Sequence, residues 1–461
     1  MAEESSGQEM DSSAEDKMPK YLDFPEEDQY ENNERGDFIR TVISFFGVGL
    51  VLHTLFSVII AGSQDLLGGT QIPTTAVLLS HVGPMALVIY TFPWFMQKIS
   101  YFIRVIAIFS FMASGFLVIT FVQNPYAKLV GVALNAVAHS LGEATFLALG
   151  AFYGEISVTS FAAGSGIGIL IGPLYYLGLT SGICISPQET MIIISCGSIL
   201  ILVCYYILNK DRVKSHAIVA TYTSHKYSSV PTTAKTQVHD PSKLSWWEKC
   251  SAAWSILPLM LSMGFTQIFQ YLTVQSVFTT LAFTNATIVN PRDHYVYYMS
   301  FYGAGEFLSR SYLSWIFCCN PAISETVTIY KTWIPTVLSS GVFVLSFCIS
   351  WFRFVESMYL IMFLAFVVGI LSGCVYSNTL VTIQQTIEPR YEEFCLGLVT
   401  LGSNTGAFVG SFVGLWLEPF LRHRCTKIKP NAVKTCFTRY ETRKWTQAIC
   451  GGKAVDIKIE I

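Results

Sequence analysis

The sequence predicts an all-α polytopic membrane protein of major-facilitator-like layout, with two bundles of about six and five transmembrane helices, eleven in all or twelve at most. Three observations carry this reading. Hydrophobic residues make up 52 % of the 461 positions and charged residues only 13 %, against roughly 25 % charged in soluble proteins. Apolar stretches of about 20 residues, the length that crosses a bilayer, follow one another along most of the chain. A single long basic segment, 209–250, divides them into two groups.

Residues 1–37 carry thirteen Asp and Glu against three Lys and Arg and contain no apolar run, the composition of a disordered acidic tail rather than a signal peptide. Tyr21-Leu22-Asp23-Phe24 matches the tyrosine-x-x-bulky pattern that sorting adaptors read, and such adaptors are the one protein partner the tail suggests. Spans are expected near 38–61, 75–98, 101–123, 127–151, 160–183 and 190–208. Pro93 and Pro173 are tolerated inside them because neighbouring helices satisfy the freed carbonyls.

The 209–250 segment holds seven Lys and Arg against three acids. The positive-inside rule makes it cytoplasmic, so its charge is topological rather than a nucleic-acid or lipid site. A second bundle, 251–420, has spans near 251–283, 295–317, 332–352, 356–379 and 395–420. The first of these is long for one crossing and short for two, and Pro258 is placed to start it. The sequon Asn285-Ala286-Thr287 follows it; with the N-terminus cytoplasmic, an odd crossing puts Asn285 in the lumen, where glycosylation occurs. The tail 421–461 is basic. Eleven spans make this tail luminal, which opposes the positive-inside rule; a twelfth crossing hidden near 376–394 makes it cytoplasmic. Eleven is the preferred count.

Most of the twelve cysteines, Cys196, Cys204, Cys348 and Cys374 among them, fall within apolar spans and read as small apolar residues rather than a disulfide frame. The chain has no HExxH, no GxSxG and no paired aspartates at helical spacing. No enzyme, metal site or cofactor is expected.

Intramembrane polar groups remain, and these are costly in lipid unless they face the bundle interior. Glu143 lies in the first bundle with His139 four residues earlier on the same helical face. The pair reads either as a buried structural hydrogen bond or as a proton-coupling site. His53 and His81 sit in the first two spans; lone histidines there are commonly bonded to a backbone carbonyl, although their titration range suits proton sensing. Gly164, Gly168 and Gly172 recur every four residues, the spacing that lets helices approach closely in lipid. Neither a preceding strand nor a following Lys-Ser/Thr supports a phosphate loop there.

In the second bundle Glu306 and Arg310 stand at i, i+4 with the glutamate N-terminal, the favourable order. They form either a self-neutralising structural pair or a site in which Arg310 meets an anionic group and Glu306 is the competing partner. Tyr376, Asn378 and Asn404 offer further polar groups, to a cavity or to interhelical hydrogen bonds.

These residues resemble the battenin family, the lysosomal membrane proteins of Batten disease, over roughly residues 45–420. Leu141–Tyr153 (LGEATFLALGAFY), Gly164–Thr180 (GSGIGILIGPLYYLGLT), Ser186–Thr190 (SPQET), Ala304–Ser311 (AGEFLSRS), Ser372–Thr379 (SGCVYSNT) and Glu392–Phe394 (EEF) are similar, in this order, to motifs of that family. The chain departs from it at Leu52-His53, where the family has an Asn-Asn pair, at Gln267 in place of a glutamate, at Asn404 in place of an aspartate, and in its C-terminus and middle loop, where the prenylation and dileucine signals are not evident.

The resemblance implies a lysosomal or vacuolar membrane protein, distantly related to major facilitators. Its loss would disturb lysosomal pH, basic amino acid levels and glycerophosphodiester export. The function expected is a secondary transporter of a small polar or anionic solute, with Arg310, Glu306, Tyr376, Asn378 and Asn404 at the solute and Glu143 with His139 coupling protons. The alternative is a non-transporting membrane scaffold acting through its tail and loop.

Overall fold

A computed structural model describes residues 27–68, 70, 72, 75–211, 213, 244–283, 293–319, 323 and 326–429, with Thr435, Cys436, Thr438, Trp445 and Thr446 of the tail; side chains are described from Arg35 onward. The sorting pattern Tyr21–Phe24, the sequon at Asn285 and most of 209–250 lie outside the described residues. The chain divides into two units, Met1–Ile39 and Arg40–Ile461. Of the first, only the beginning of helix α1 is described; everything below concerns the second.

Among the described residues the elements are helices and turns, without strands. The first group runs α1 Glu27–Ala61, α2 Ser63–Leu66, α3 Thr75–Thr91, α4 Tyr101–Phe121, α5 Pro125–Gly150, α6 Glu155–Leu177, α7 Pro187–Ser195 and α8 Ile199–Ile207. The second runs α9 Trp246–Ser255, α10 Leu257–Tyr271, α11 His294–Cys319, α12 Trp333–Phe352, α13 Met358–Thr386, α14 Pro389–Leu398 and α15 Thr400–Ile428.

Local sequence sets several starts. Asn124 caps α5, its side chain accepting from Tyr126 N at 2.9 Å just before Pro125. Ser186 with Glu189, and Ser245 with Glu248, form capping boxes that open α7 and α9, each satisfying backbone donors the helix leaves free.

Among the described residues nine helices are long and apolar enough to cross a membrane, and a tenth span results if α9 and α10, bent by 58° at their junction, count as one crossing. That bend resolves the stretch 251–283: Pro258 stands in the first turn of α10, and the preceding Trp246–Ser255 turns away. α11 is 26 residues long but too polar to be among the nine, because it carries Glu306, Arg310 and a series of tyrosines and serines. No separate crossing occupies 376–394. α13 continues to Thr386, and Pro389–Ile428 forms the last candidate span.

Outer faces are apolar. Phe102, Ile103, Leu117 and Phe121 of α4 and Val337, Leu338, Val344 and Leu345 of α12 are exposed, as helices facing hydrocarbon should be. Inner faces meet through small residues. A Cβ on Gly164 would lie 2.1 Å from the Phe46 carbonyl oxygen, and one on Gly168 2.6 Å from that of Leu50, so α6 and α1 run almost backbone to backbone. Gly305 and Gly369 do the same for α11 and α13. α6 also packs on α11, and α3 on α15, so helices from before and after the 209–250 segment share one interior.

The two ends of the bundle differ. At one, residues of the C-terminal tail lie across other segments. Gln64 donates to Thr438 Oγ1 at 3.2 Å, Thr438 donates to the Thr279 carbonyl, Ala282 N donates to the Thr435 carbonyl, and Gln188 N to that of Trp445. Cys425 and Cys436 are joined in a disulfide there, and Cys184 is disulfide-bonded too. Cys196, Cys204, Cys348 and Cys374 within the spans are free, as expected of them; the three bonded cysteines stand at helix ends and in the tail. Arg353, between α12 and α13, donates to the carbonyls of Thr280 and Thr435. Burial pulls its pKa down to about 10, so it keeps its charge at neutral and acidic pH.

At the other end Lys249 Nζ donates to the Trp94 carbonyl at 2.7 Å, Tyr101 OH to Glu393 at 2.7 Å, and Arg390 pairs with Glu248. Trp94 packs against Trp246, tilted at 35°, and edge to face against Phe394.

Candidate functional site

Glu306 and Arg310 leave α11 one turn apart and meet as the spacing predicts: Arg310 Nε donates to Glu306 Oε2. Both are buried, Glu306 completely and Arg310 to within 4 %. The pair is not isolated. Arg310 NH1 donates to Ser165 Oγ on α6 at 2.8 Å, and Tyr302 OH donates to Glu306 Oε1 at 2.6 Å. Gln270 on α10 donates to Tyr302 and accepts from Ser372 on α13. Gly166 and Gly373 flank Arg310, where a Cβ on either would stand 3.2 or 3.1 Å from its side chain.

The guanidinium lies over the ring of Tyr376 at 3.9 Å. That ring's hydroxyl reaches Glu143 Oε1 on α5 at 2.7 Å. One connected network therefore joins α5 and α6 to α10, α11 and α13. A buried polar network of this kind is stable only when its members are satisfied.

Glu143 and His139 share a helix face without touching through a hydrogen bond. Glu143 is taken by Tyr376, and His139 Nδ1 faces His81 Nε2 at 3.3 Å. His53 donates from Nδ1 to the Gly49 carbonyl at 3.1 Å, the backbone bond expected of it.

Between these groups lies an interior cavity of about 70 Å³. Arg310, Glu143, His139, His53, Tyr376 and Asn404 line it together with Gln267, Gln270, Tyr271 and Tyr302. Asn404 also donates to the Thr400 carbonyl at 3.0 Å. Glu306 stands behind Arg310, outside the lining. Asn378 stands elsewhere: it accepts from Tyr312 OH at 2.8 Å and Ile329 N at 2.6 Å and donates to the Cys374 carbonyl at 2.7 Å. Its amide oxygen thus ties α13 to α11 and to the chain at Ile329. Gly164, Gly168 and Gly172 line the α1 contact, not the cavity.

Sequence reasoning overlooked Ser165, Gln270 and Tyr302 as partners of the ion pair. Tyr302 and Glu306 stand at i, i+4, the same spacing that signalled Arg310, so that partner was detectable; Ser165 and Gln270 come from other helices and carry no local signal. Gln267 was noted only as a departure from a family pattern. Its Oε1 is buried without a hydrogen-bond partner at the cavity.

Fold and site define a multi-pass α-helical membrane protein whose intramembrane charges are gathered around a small interior cavity. The family model described as CLN3 protein matches residues 43–424, and the chain belongs to that family. It is similar to Protein btn-1 of Neurospora crassa, 27 % identical over 84 % of this chain and 91 % of that one. Protein BTN1 of Saccharomyces cerevisiae is 25 % identical over 84 % and 96 %. Battenin of Canis lupus familiaris is 26 % identical over 84 % and 93 %.

Proposed function

We propose that this protein is a secondary transporter of the lysosomal or vacuolar membrane. It would carry a small polar or anionic solute, of the glycerophosphodiester or basic amino acid class that the family resemblance brings, by alternating access between the helices before and after the 209–250 segment. The observation that carries this reading is the cavity where α5 and α6 meet α10, α11 and α13, with Arg310 and Glu143 both on its wall. Intramembrane charges around an interior space are the mark of a transport pathway.

At about 70 Å³ the cavity is well below the roughly 300–1,000 Å³ of a typical small-molecule site. It therefore reads as a closed stage of a cycle that must open to load its solute. Arg310 supplies the anion contact, since guanidinium matches carboxylate or phosphate in a bidentate way; Glu306 holds it when no solute is bound.

The disulfides support one orientation. They persist in oxidising compartments, so the end carrying Cys184, Cys425 and Cys436 faces the lumen and the end carrying Lys249 and Glu393 faces the cytosol. The basic tail then lies in the lumen, against the positive-inside rule; the covalent link outweighs a rule that governs short loops.

Efflux of labelled glycerophosphocholine and of arginine from purified lysosomes tests the reading, with the wild-type chain, Arg310→Ala, Arg310→Lys or no protein. Protein-dependent efflux that falls at least tenfold per folded molecule in Arg310→Lys, which keeps the charge of the buried pair but not the bidentate fork, is the expected result, with Arg310→Ala reported against its own protein level. Identical efflux in all four, with the protein in place, removes the transporter reading for these solutes.

A further inference from the structure

Three imidazoles from three different helices meet beside the cavity. His53 of α1, His81 of α3 and His139 of α5 are 5 %, 0 % and 3 % exposed. The His53 and His139 rings stand edge to face at 4.8 Å, and His81 and His139 at 5.6 Å. Phe56 lies against two of them, 4.5 Å from His81 and 5.3 Å from His139.

Counting protons makes the cluster unusual. Two neutral imidazoles have four nitrogens and two hydrogens. One hydrogen fills the His81 Nε2···His139 Nδ1 contact. Whichever ring donates, one N–H and one lone pair are left over, on His81 Nδ1 and His139 Nε2. Both atoms are buried without a hydrogen-bond partner. Orphaned buried polar atoms cost free energy and call for an explanation.

We propose that the His81–His139 pair is a proton-binding site of the cavity, with His53 as its third wall. This rests on the transporter reading and names its coupling group. His139 lines the cavity and His81 does not. Nδ1 of His139 is taken by His81, so Nε2 is the nitrogen left to serve the cavity. A proton from the solution that enters the cavity bonds to His139 Nε2. The His139 Nδ1 proton can then pass to His81 Nε2, moving the positive charge one ring deeper. One proton is taken up, none is released, and the pair goes from neutral to +1.

The charged and titratable groups around it set a balance. Glu143, one turn along α5, favours the imidazolium. Arg310 of α11, facing the same cavity, opposes it, and Glu306 screens Arg310. The hydroxyls of Tyr376 on α13, Tyr271 on α10 and Tyr302 on α11 stand on the same cavity wall. The Phe56 ring face stabilises a cation placed against it. In this arrangement Glu143, held by Tyr376, is the counter-charge and the imidazole pair takes the proton.

Nitrogen spectra of the full chain, ¹⁵N-labelled at its eight histidines and embedded in lipid nanodiscs, read this directly without any solute. Between pH 7.5 and 4.5 the His81 and His139 signals are expected to titrate together with one shared proton. In His81→Gln the His139 midpoint is expected to move by at least half a pH unit, with the melting temperature reported alongside; His81→Asn provides the same test if His81→Gln does not fold. Rings that stay neutral to pH 4.5, or a His139 midpoint unchanged without His81, overturn the proposal. The transporter reading is judged separately: a titrating pair in a chain that moves no solute removes transport alone, and pH-driven efflux with neutral rings removes the proton site alone.

Discussion

The Tyr376 hydroxyl donates to the Glu143 carboxylate at 2.7 Å, across 233 positions of sequence and between helices on either side of the basic segment. Removing it strands a buried carboxylate, at about 1–3 kcal/mol for an unsatisfied buried group. Tyr376→Phe is therefore expected to lower the unfolding free energy by about that amount in nanodisc-embedded protein. In a Glu143→Gln background the same change should cost less, because the pair couples; strictly additive losses in a double-mutant cycle would show that the contact contributes nothing.

Glu306 and Arg310 make a sharper case. Breaking a buried pair by removing one partner costs about 3–5 kcal/mol, whereas replacing both by apolar residues of similar volume is often close to neutral. Arg310→Met and Glu306→Met are each expected to reduce the yield of folded protein severely. The double variant should recover most of it, though not solute efflux. Melting temperatures of the three purified proteins decide this, and a double variant as unstable as the sum of the singles would mean that the Tyr302 and Ser165 contacts, rather than the ion pair, hold the site.

What the sequence made legible here is local. The i, i+4 spacing of Glu306 and Arg310 fixed their meeting, because both ends of that contact ride on one helix. The same spacing of His139 and Glu143 misled: a shared face limits which way two side chains point but not what other helices bring to them. Tyr376 and His81 arrived from elsewhere and took one each. Asn378 stands off the cavity for the same reason, its amide oxygen accepting from Tyr312 and the backbone of Ile329. Apolar length identified the spans well, α11 at 295–317 included, even though the charges and hydroxyls of that helix leave it less apolar than its neighbours. The cysteine reading held for Cys196, Cys204, Cys348 and Cys374 inside the spans, and said nothing of Cys184, Cys425 and Cys436, whose bonding depends on which helix ends and tail segments meet.

Gly164 and Gly178 contrast a close approach with open space. A Cβ at Gly164 meets the Phe46 carbonyl oxygen at 2.1 Å, while one at Gly178 meets nothing within 4 Å. Overpacking costs typically about 1–3 kcal/mol. Gly164→Ala is expected to destabilise by about that much and Gly178→Ala to leave the melting temperature unchanged. Equal melting temperatures for the two would show that α6 moves off α1 without penalty.

The disulfide end tests the orientation of the whole chain. Phe283 N donates to His294 Nδ1 at the start of α11, beside Ala282 and its bond to Thr435, so that start lies at the end where Cys425 is bonded to Cys436. Cys318 and Cys319, exposed at the other terminus of the same helix, lie at the opposite end. A membrane-impermeant maleimide applied to intact organelles should therefore modify Cys318 and Cys319. It should reach Cys425 and Cys436 only after both detergent and a reductant. Closing a loop over a separation of 11 residues is worth about 3 kcal/mol on the chain-entropy account, so Cys425→Ser should also lower thermal stability measurably. Modification of Cys436 in sealed organelles, with Cys318 and Cys319 protected, would reverse the orientation. The basic tail would then lie on the cytosolic side, where its charge alone would have placed it.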